Sequence, residues 1–576
     1  MAKGILISYA GYPYTPSSLL PDNGLANLAG ALIQNGHEVL VLDYGTVDVV
    51  KRLVPTDIGI ALKDIYNKAK KIKEKKGSSA LQKMFLFHTL RHIDRALTKH
   101  QNNQTLMMAE ELLDLIKEQK PDFVGFKLWV GDGFAASVKM AEIIKRKFPH
   151  IKLFGGGPLL DEAEEVTMEV APVFDAVSFA EGEETIVDLA LYCEGKKALS
   201  EISNLIYKTD KKRIVKTGKK IIDDLDSLSL PVYDEAIYPA MKDGQKIKII
   251  LLDESRGCPY RCFFCPHEHK SGGKRRTKSP QRIFQEIKRL VESYGIHAFR
   301  YAGSCTPFET LNEVANNILS DNLDVLYTSY ANAKLADLNN LDLLKRSGLH
   351  ALFFGIETGD DRILHEMMNK RMVSVELIKN KVQGAIEKGI FCVGSVIFPA
   401  PGETPQTRDK LLGVLKEIYT HEESGSVQVQ FPGLFTGTEW YRNTAKFGFK
   451  IKNQKTYKRD MLNYKIKLLF PPTFWKPLPY TIDGKGYKQF AKETEKFANE
   501  LEKSNILTLV TDEMALSARL LGVTPKQYRD RSRLQLLTGD WESISRDVQT
   551  INRGITSDEQ LRINIRHSNF QGSDNT

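Results

Sequence analysis

Cys258-Pro-Tyr-Arg-Cys262-Phe-Phe-Cys265 gathers half of the chain's six cysteines into eight residues, at x3 and x2 spacing. The stretch follows closely on the apolar run 249–252, which reads as a buried strand. A strand that ends in a tight cysteine loop can present three thiolates to one metal centre. Three ligands fill three corners of a cubane iron–sulfur cluster and leave one iron open to a substrate or cofactor. The competing reading is a structural zinc site, with His267 or His269 as fourth ligand. The spacing is unusual for zinc, and no second cysteine pair follows. A disulfide scaffold does not suit a chain of this length with so few cysteines and no signal-peptide pattern.

The loop also resembles the signature of the radical S-adenosylmethionine (SAM) family, C-x3-C-x-aromatic-C, with Phe264 in the aromatic position. The resemblance implies that Cys258, Cys262 and Cys265 hold a 4Fe–4S cluster whose open iron chelates SAM, with Phe264 beside the adenine. Pro266-His267, Ser271-Gly-Gly and Arg276-Thr-Lys-Ser279-Pro280 look like the continuation found in cobalamin-binding members.

Downstream, strand patterns at 249–252, 298–301, 325–330, 351–356, 391–398 and 426–431 alternate with helical ones such as 280–294 and 377–388. Such pairs predict a partial or full α/β barrel over 246–440, with its sites at the carboxyl ends of the strands; six strands fit the partial (β/α)6 barrel that the radical SAM resemblance implies better than a full eight-strand one. Gly303 and Ser304 follow the second strand, where the family binds the methionine end of SAM. Gly355-Ile-Glu357-Thr-Gly359 resembles the family's Gly-Ile-Glu-Ser-Gly segment, which implies that Glu357 hydrogen-bonds SAM; a helix-capping turn is the plainer reading. Ser395 stands on the fifth strand, ahead of a Pro-Gly-Glu-Thr segment that resembles the family's adenine-contacting stretch. Cys305 and Cys392 read as small buried residues, and Cys193 as a helix residue without chemistry.

Upstream, strand patterns at 4–8, 37–43, 122–126, 151–154 and 176–179 alternate with helices at 25–34 and 135–146. This α/β alternation predicts a doubly wound, Rossmann-like parallel sheet over residues 1–200. The segment order resembles the cobalamin-binding domain that precedes the barrel in one large radical SAM subfamily, with a helical insertion between 47 and 119. On that resemblance Gly24, Leu25, Leu128, the triple glycine Gly155-Gly156-Gly157, and Glu181, Gly182 and Glu183 contact cobalamin. The Asp-x-His-x-x-Gly motif that gives cobalt a histidine elsewhere is absent, which implies base-off cobalamin. Lys127-Leu128 stands where such folds often carry Ser-x-Leu.

Residues 201–245 read as a linker and 441–576 as a mainly helical C-terminal domain that caps the barrel and holds substrate. Its aromatic and proline cluster from Phe470 to Tyr480 suits either a substrate cavity or ordinary packing. The chain is 42% hydrophobic and 27% charged with a net charge of +9, ordinary values for a globular protein. No apolar run approaches the ~20 residues of a membrane span, and a reducing cytoplasm is the expected compartment. The lysine-rich stretch 68–76 reads as a solvated helix face, so nucleic acid is not expected as a partner.

Taken together, the resemblance implies a cobalamin-dependent radical SAM C-methyltransferase. A flavodoxin- or ferredoxin-type reductant would feed the cluster, and the substrate would be a small molecule or peptide. Cyclisation, rearrangement or oxidation by the same cofactors is the first alternative, and a non-catalytic cobalamin or zinc sensor the second.

Overall fold

The computed structural model describes residues 1–74, 80–303, 306–465 and 472–556. Its first sheet holds β1 (Lys3–Ser8), β2 (Glu38–Asp43), β3 (Phe123–Lys127), β4 (Lys152–Gly156), β5 (Ala176–Ser178), β6 (Leu205–Lys208) and β7 (Ile214–Lys216). The spatial order is β2-β1-β3-β4-β5-β6-β7. The first five strands run parallel, and the last two run antiparallel to their neighbours. Winding reverses between β1 and β3, so the loops after these strands open a crevice at the sheet's carboxyl edge.

The segment expected as a linker therefore belongs in part to this sheet. Leu205 and Ile206 are fully buried, and burying them completes the sheet where β5 would otherwise leave an open edge. The insertion consists of helices Val47–Leu53, Thr56–Glu74 and Ala80–Gln119.

The second sheet is built from β8 (Ile249–Leu252), β11 (Ala298–Tyr301), β12 (Leu326–Ala331), β13 (Leu349–Glu357), β14 (Phe391–Ile397) and β15 (Gly425–Gln430), all parallel and in sequential order. Between β8 and β11 lies a two-strand ribbon, β9 (Ser255–Arg256) with β10 (Arg276–Thr277). Helix Pro280–Tyr294 illustrates how the outer layer is encoded. Ser279 caps its first turn by accepting from the Arg282 N–H, and Gly295 ends it in the left-handed conformation. Ile283, Ile287 and Leu290, spaced along one face, bury against the sheet.

The concave side is filled from the C-terminal domain. Ala298 and Ala351 are small, and helix Asp512–Leu521 packs against this face through Met514, Ala515 and Ala518. That domain adds β16 (Phe449–Ile451), β17 (Tyr480–Ile482) and β18 (Lys485–Gly486), with helices Tyr487–Lys503, Pro525–Thr538 and Trp541–Thr556. A bridge from Thr508 to Val427 extends the barrel's last edge. Among the described residues, no helix is long and apolar enough to cross a membrane.

Candidate active site

Gly257 makes the cysteine loop possible. Its φ of 78° turns the chain out of β9, and a side chain there would overlap the carbonyl of Lys274. The loop is then pinned from two directions. The Phe263 N–H donates to the Met368 carbonyl at 3.0 Å, and the Asn369 amide donates to the Arg261 carbonyl at 2.9 Å. The Trp440 N–H donates to the Phe263 carbonyl at 3.0 Å, and the Trp440 ring lies 5.7 Å from that of Phe264.

Cys258, Cys262 and Cys265 share the wall of one cavity of about 1200 Å³ with Phe264, Glu357, Lys370 and Ser395. None of the described cysteines forms a disulfide. Burial pushes the Cys262 thiol up to about 12 and raises Cys265 as well. Such thiols ionise by coordinating a metal rather than by losing a proton to solvent. Among the described residues, no three His, Cys, Asp or Glu side chains converge as a site for a single metal ion, and neither His267 nor His269 is drawn in as a fourth ligand. Three thiols on one wall with open space beside them form a donor set that fits a cluster with one free iron.

Glu357 ends β13 at a register shift and has a φ of 67°, a left-handed conformation that costs a glutamate about 1 kcal/mol or more. Its carboxylate accepts from Lys370 Nζ at 3.0 Å, and the same ammonium donates to the Gly355 carbonyl at 2.9 Å. Burial alone would push Lys370 down; Glu357 beside it holds it above its ordinary range. Gly303 donates its N–H to both oxygens of Glu254, at 3.1 and 3.0 Å. Ser304 and Cys305 lie outside the described residues.

The cobalamin-contact expectations divide. Leu128 lines the cavity together with Trp129, Val130, Pro158 and Leu159, at the carboxyl ends of β3 and β4. The Leu128 N–H donates to the Gly156 carbonyl at 2.8 Å, which ties Leu128 to the triple glycine. Gly155 and Gly156 are the last residues of β4 rather than a turn after it; Gly157 makes the turn, with a φ of 123°. A side chain at Gly155 would press on Leu128 and Val177.

Gly24 and Leu25 sit in the first turn of helix Asn23–Gln34, where Leu25 is a core residue and its N–H donates to the Asp22 carboxylate at 3.1 Å. That carboxylate binds Lys127 Nζ at 2.7 Å, and the ammonium lies 4.7 Å from the Trp129 ring.

Glu181 and Glu183 each pair with an arginine of the β9–β10 ribbon. In the β9–β10 ribbon Arg256 and Arg276 stand directly opposite each other, and like charges so paired need counter-charges. Glu181 receives Arg276 at 2.7 Å, and Glu183 receives Arg256 at 2.5 Å. Gly182 between them abuts Leu28. The loop clamps the first sheet to the ribbon that leads into the cysteines and lies off the cavity wall.

Three polar groups beside the cysteines lie outside the motifs. Glu254 lies two residues past the end of β8, immediately ahead of the loop, and that position was the available signal. Lys370 is delivered by the turn after Ile363–Met367, and nothing local marks it. Glu162 reaches the cavity wall from beyond the triple glycine, 3.2 Å from Lys270 Nζ, with the Thr436 hydroxyl donating to it at 2.7 Å.

Comparison with known proteins matches two stretches of the chain. Residues 89–190 match the B12 binding domain, and residues 255–415 match the radical SAM superfamily. An uncharacterized methyltransferase of Pyrococcus horikoshii is 27% identical over 329 residues, covering 56% of this chain and 70% of that protein. The cytidylyl-2-hydroxyethylphosphonate methyltransferase of Streptomyces wedmorensis is 23% identical over 412 residues, covering 64% of this chain and 74% of that one. Among solved structures, the radical SAM methyltransferase TsrM of Kitasatospora setae, with cobalamin and a 4Fe–4S cluster bound, superposes with a TM-score of 0.64. It is 15% identical and covers 95% of this chain and 99% of its own. At that identity the likeness is one of fold.

Proposed function

We propose that this chain, which joins a B12-binding domain to a radical SAM domain, is a cobalamin-dependent methyltransferase acting on carbon. The observation that carries the proposal is the shared cavity. The three cysteines, the Glu357–Lys370 pair and the carboxyl ends of β3 and β4 all open on it. A methyl donor seated on the first sheet and a SAM-cleaving centre on the barrel would then face one substrate.

In this reading Cys258, Cys262 and Cys265 hold the cluster, and Phe264 and Ser395 flank the adenosine. Glu357 accepts hydrogen bonds from SAM while Lys370 holds that carboxylate in place. Glu254 fixes the backbone at Gly303 for the methionine end. On the facing side Leu128 and the triple glycine form the cobalamin floor. When bound, the cluster and SAM supply adenosyl-radical chemistry and cobalamin supplies a transferable methyl group. The protein orients these partners and keeps water from them. A flavodoxin- or ferredoxin-type protein serves as reductant, and a reducing cytoplasm suits the centre.

Anaerobic reconstitution tests the proposal. The expected protein is brown, with about four irons and a cobalamin absorption band, and it converts SAM to S-adenosylhomocysteine and 5′-deoxyadenosine. Replacing Cys258, Cys262 and Cys265 together by Ala should abolish iron binding and leave cobalamin bound. A colourless protein holding one zinc would end the enzyme reading; deoxyadenosine without methyl transfer would turn it towards rearrangement.

A further inference from the structure

Part of the cavity wall is aromatic: Phe431, Trp440, Tyr457, Tyr464, Trp475 and Tyr480 all line it. Five of these six carry a polar tip, and in four of them that tip is already engaged by another group of the protein. The Tyr457 hydroxyl donates to the Leu434 carbonyl at 2.7 Å, and the Tyr480 hydroxyl donates to the Pro432 carbonyl at 2.6 Å. The Tyr464 and Tyr487 hydroxyls share a hydrogen bond of 2.6 Å, and the Trp440 ring N–H donates to the Met367 carbonyl at 2.8 Å. Tyrosine and tryptophan whose polar tips are so used present carbon and π surface alone.

Against the aromatic part of the wall a substrate rich in hydroxyls or phosphates would lose its water and gain few partners; polar side chains such as Asn332, Gln430 and Arg529 line other parts of the same cavity. Three further residues on the same cavity, Met372, Phe435 and Leu509, are large, apolar and more than a third exposed. Apolar surface left open around a cavity marks a place where apolar ligand enters. The box also adjoins the reacting end: Trp440 meets Phe264, and Phe431 meets Trp475 at 5.6 Å.

Resting on the methyltransferase reading, we propose that the methyl-accepting part of the substrate is an uncharged apolar group, an aromatic ring or an isoprenoid-like chain, held in this aromatic box. The group that receives the methyl is then a hydrocarbon carbon and not one on a sugar or phosphonate.

Calorimetric titration of the anaerobically reconstituted full chain with indole, farnesol and cytidine monophosphate tests this. Indole or farnesol should bind at least about tenfold more tightly than the nucleotide, and whichever binds better identifies ring or chain. Trp475→Ala should weaken that binding about tenfold, while Tyr457→Phe, whose lost hydroxyl faces a carbonyl, should leave it unchanged. Iron content and the thermal melt of both variants report whether the cluster and the fold are intact. Equal binding of all three probes, or tight apolar binding indifferent to Trp475→Ala, overturns the proposal. Apolar binding that follows Trp475 in a protein that never cleaves SAM would count against the methyltransferase reading and leave the apolar box standing.

Discussion

Glu254 is the residue whose chemistry departs most from its surroundings. It is fully buried four residues ahead of Cys258, and it accepts from the Gly303 and Ala302 N–H groups and from the Thr306 hydroxyl. Burial outweighs these donors and raises its pKa from 4.5 to about 7. The folded protein thus holds this proton more tightly than the unfolded chain. Its contribution to stability is fullest below pH 4.5, declines as pH rises to about 7, and is level beyond. Glu254→Gln keeps the shape and removes the titration. Thermal melts at a series of pH values should show wild type losing stability relative to the variant across that window. A difference that stays constant from pH 4.5 to 7 would mean that the carboxylate is ionised throughout.

At the scale of elements, strands and helices with a clear period were legible and the loops between them were not. Helix Pro280–Tyr294 matched the sequence reading to the residue, because Ser279, Pro280 and Gly295 punctuate a strong apolar stripe. Strand β4 was read two residues short, since Gly155 and Gly156 carry no side chain to continue its alternation. The cysteine loop could be read locally, because its three cysteines lie within eight residues. The Glu181–Arg276 and Glu183–Arg256 pairs join segments far apart in sequence, and charge alone does not reveal such partners. The clamp makes a prediction of its own. Arg276 is buried against Glu181 and also donates to the Ser271 and Ile222 carbonyls. Arg276→Met takes from the buried Glu181 carboxylate its two-point partner and leaves it Arg256, at 3.8 Å, as its cation, a change that costs up to about 3–5 kcal/mol. Limited proteolysis should then cut within residues 217–245 faster than in wild type, and Arg276→Lys should restore part of the protection. Unchanged cleavage would mean that other contacts hold the sheet to the barrel.

Across the whole molecule, the C-terminal segment adds a second joint between two α/β units that also meet directly, and its helices carry no motif by which the sequence shows this. Helix Asp512–Leu521 fills the barrel's concave face, where Arg300 of β11 donates to the Asp512 carboxylate at 2.7 Å and lies 3.6 Å from Glu513. Glu513 in turn accepts from the Ser17 hydroxyl at 2.7 Å, in the loop after β1. The Tyr12 hydroxyl donates to the Leu536 carbonyl, and Gly59 lies so close to the Thr538 carbonyl that a side chain there would overlap it. A barrel arginine, two C-terminal acids and a first-domain serine therefore form one chain of contacts. Arg300→Met leaves two adjacent buried carboxylates without their cation and should destabilise the protein by about 3–5 kcal/mol. Because the contacts are continuous, that loss should lower one calorimetric transition for the entire chain. Trp129 emission, which reports the first sheet, should shift at the same temperature. Adding Asp512→Asn to Arg300→Met removes one of the stranded charges and should recover part of the loss. If Arg300→Met lowers only one of two transitions and Trp129 melts at its original temperature, the first domain folds by itself and the C-terminal helices are a cover rather than a joint.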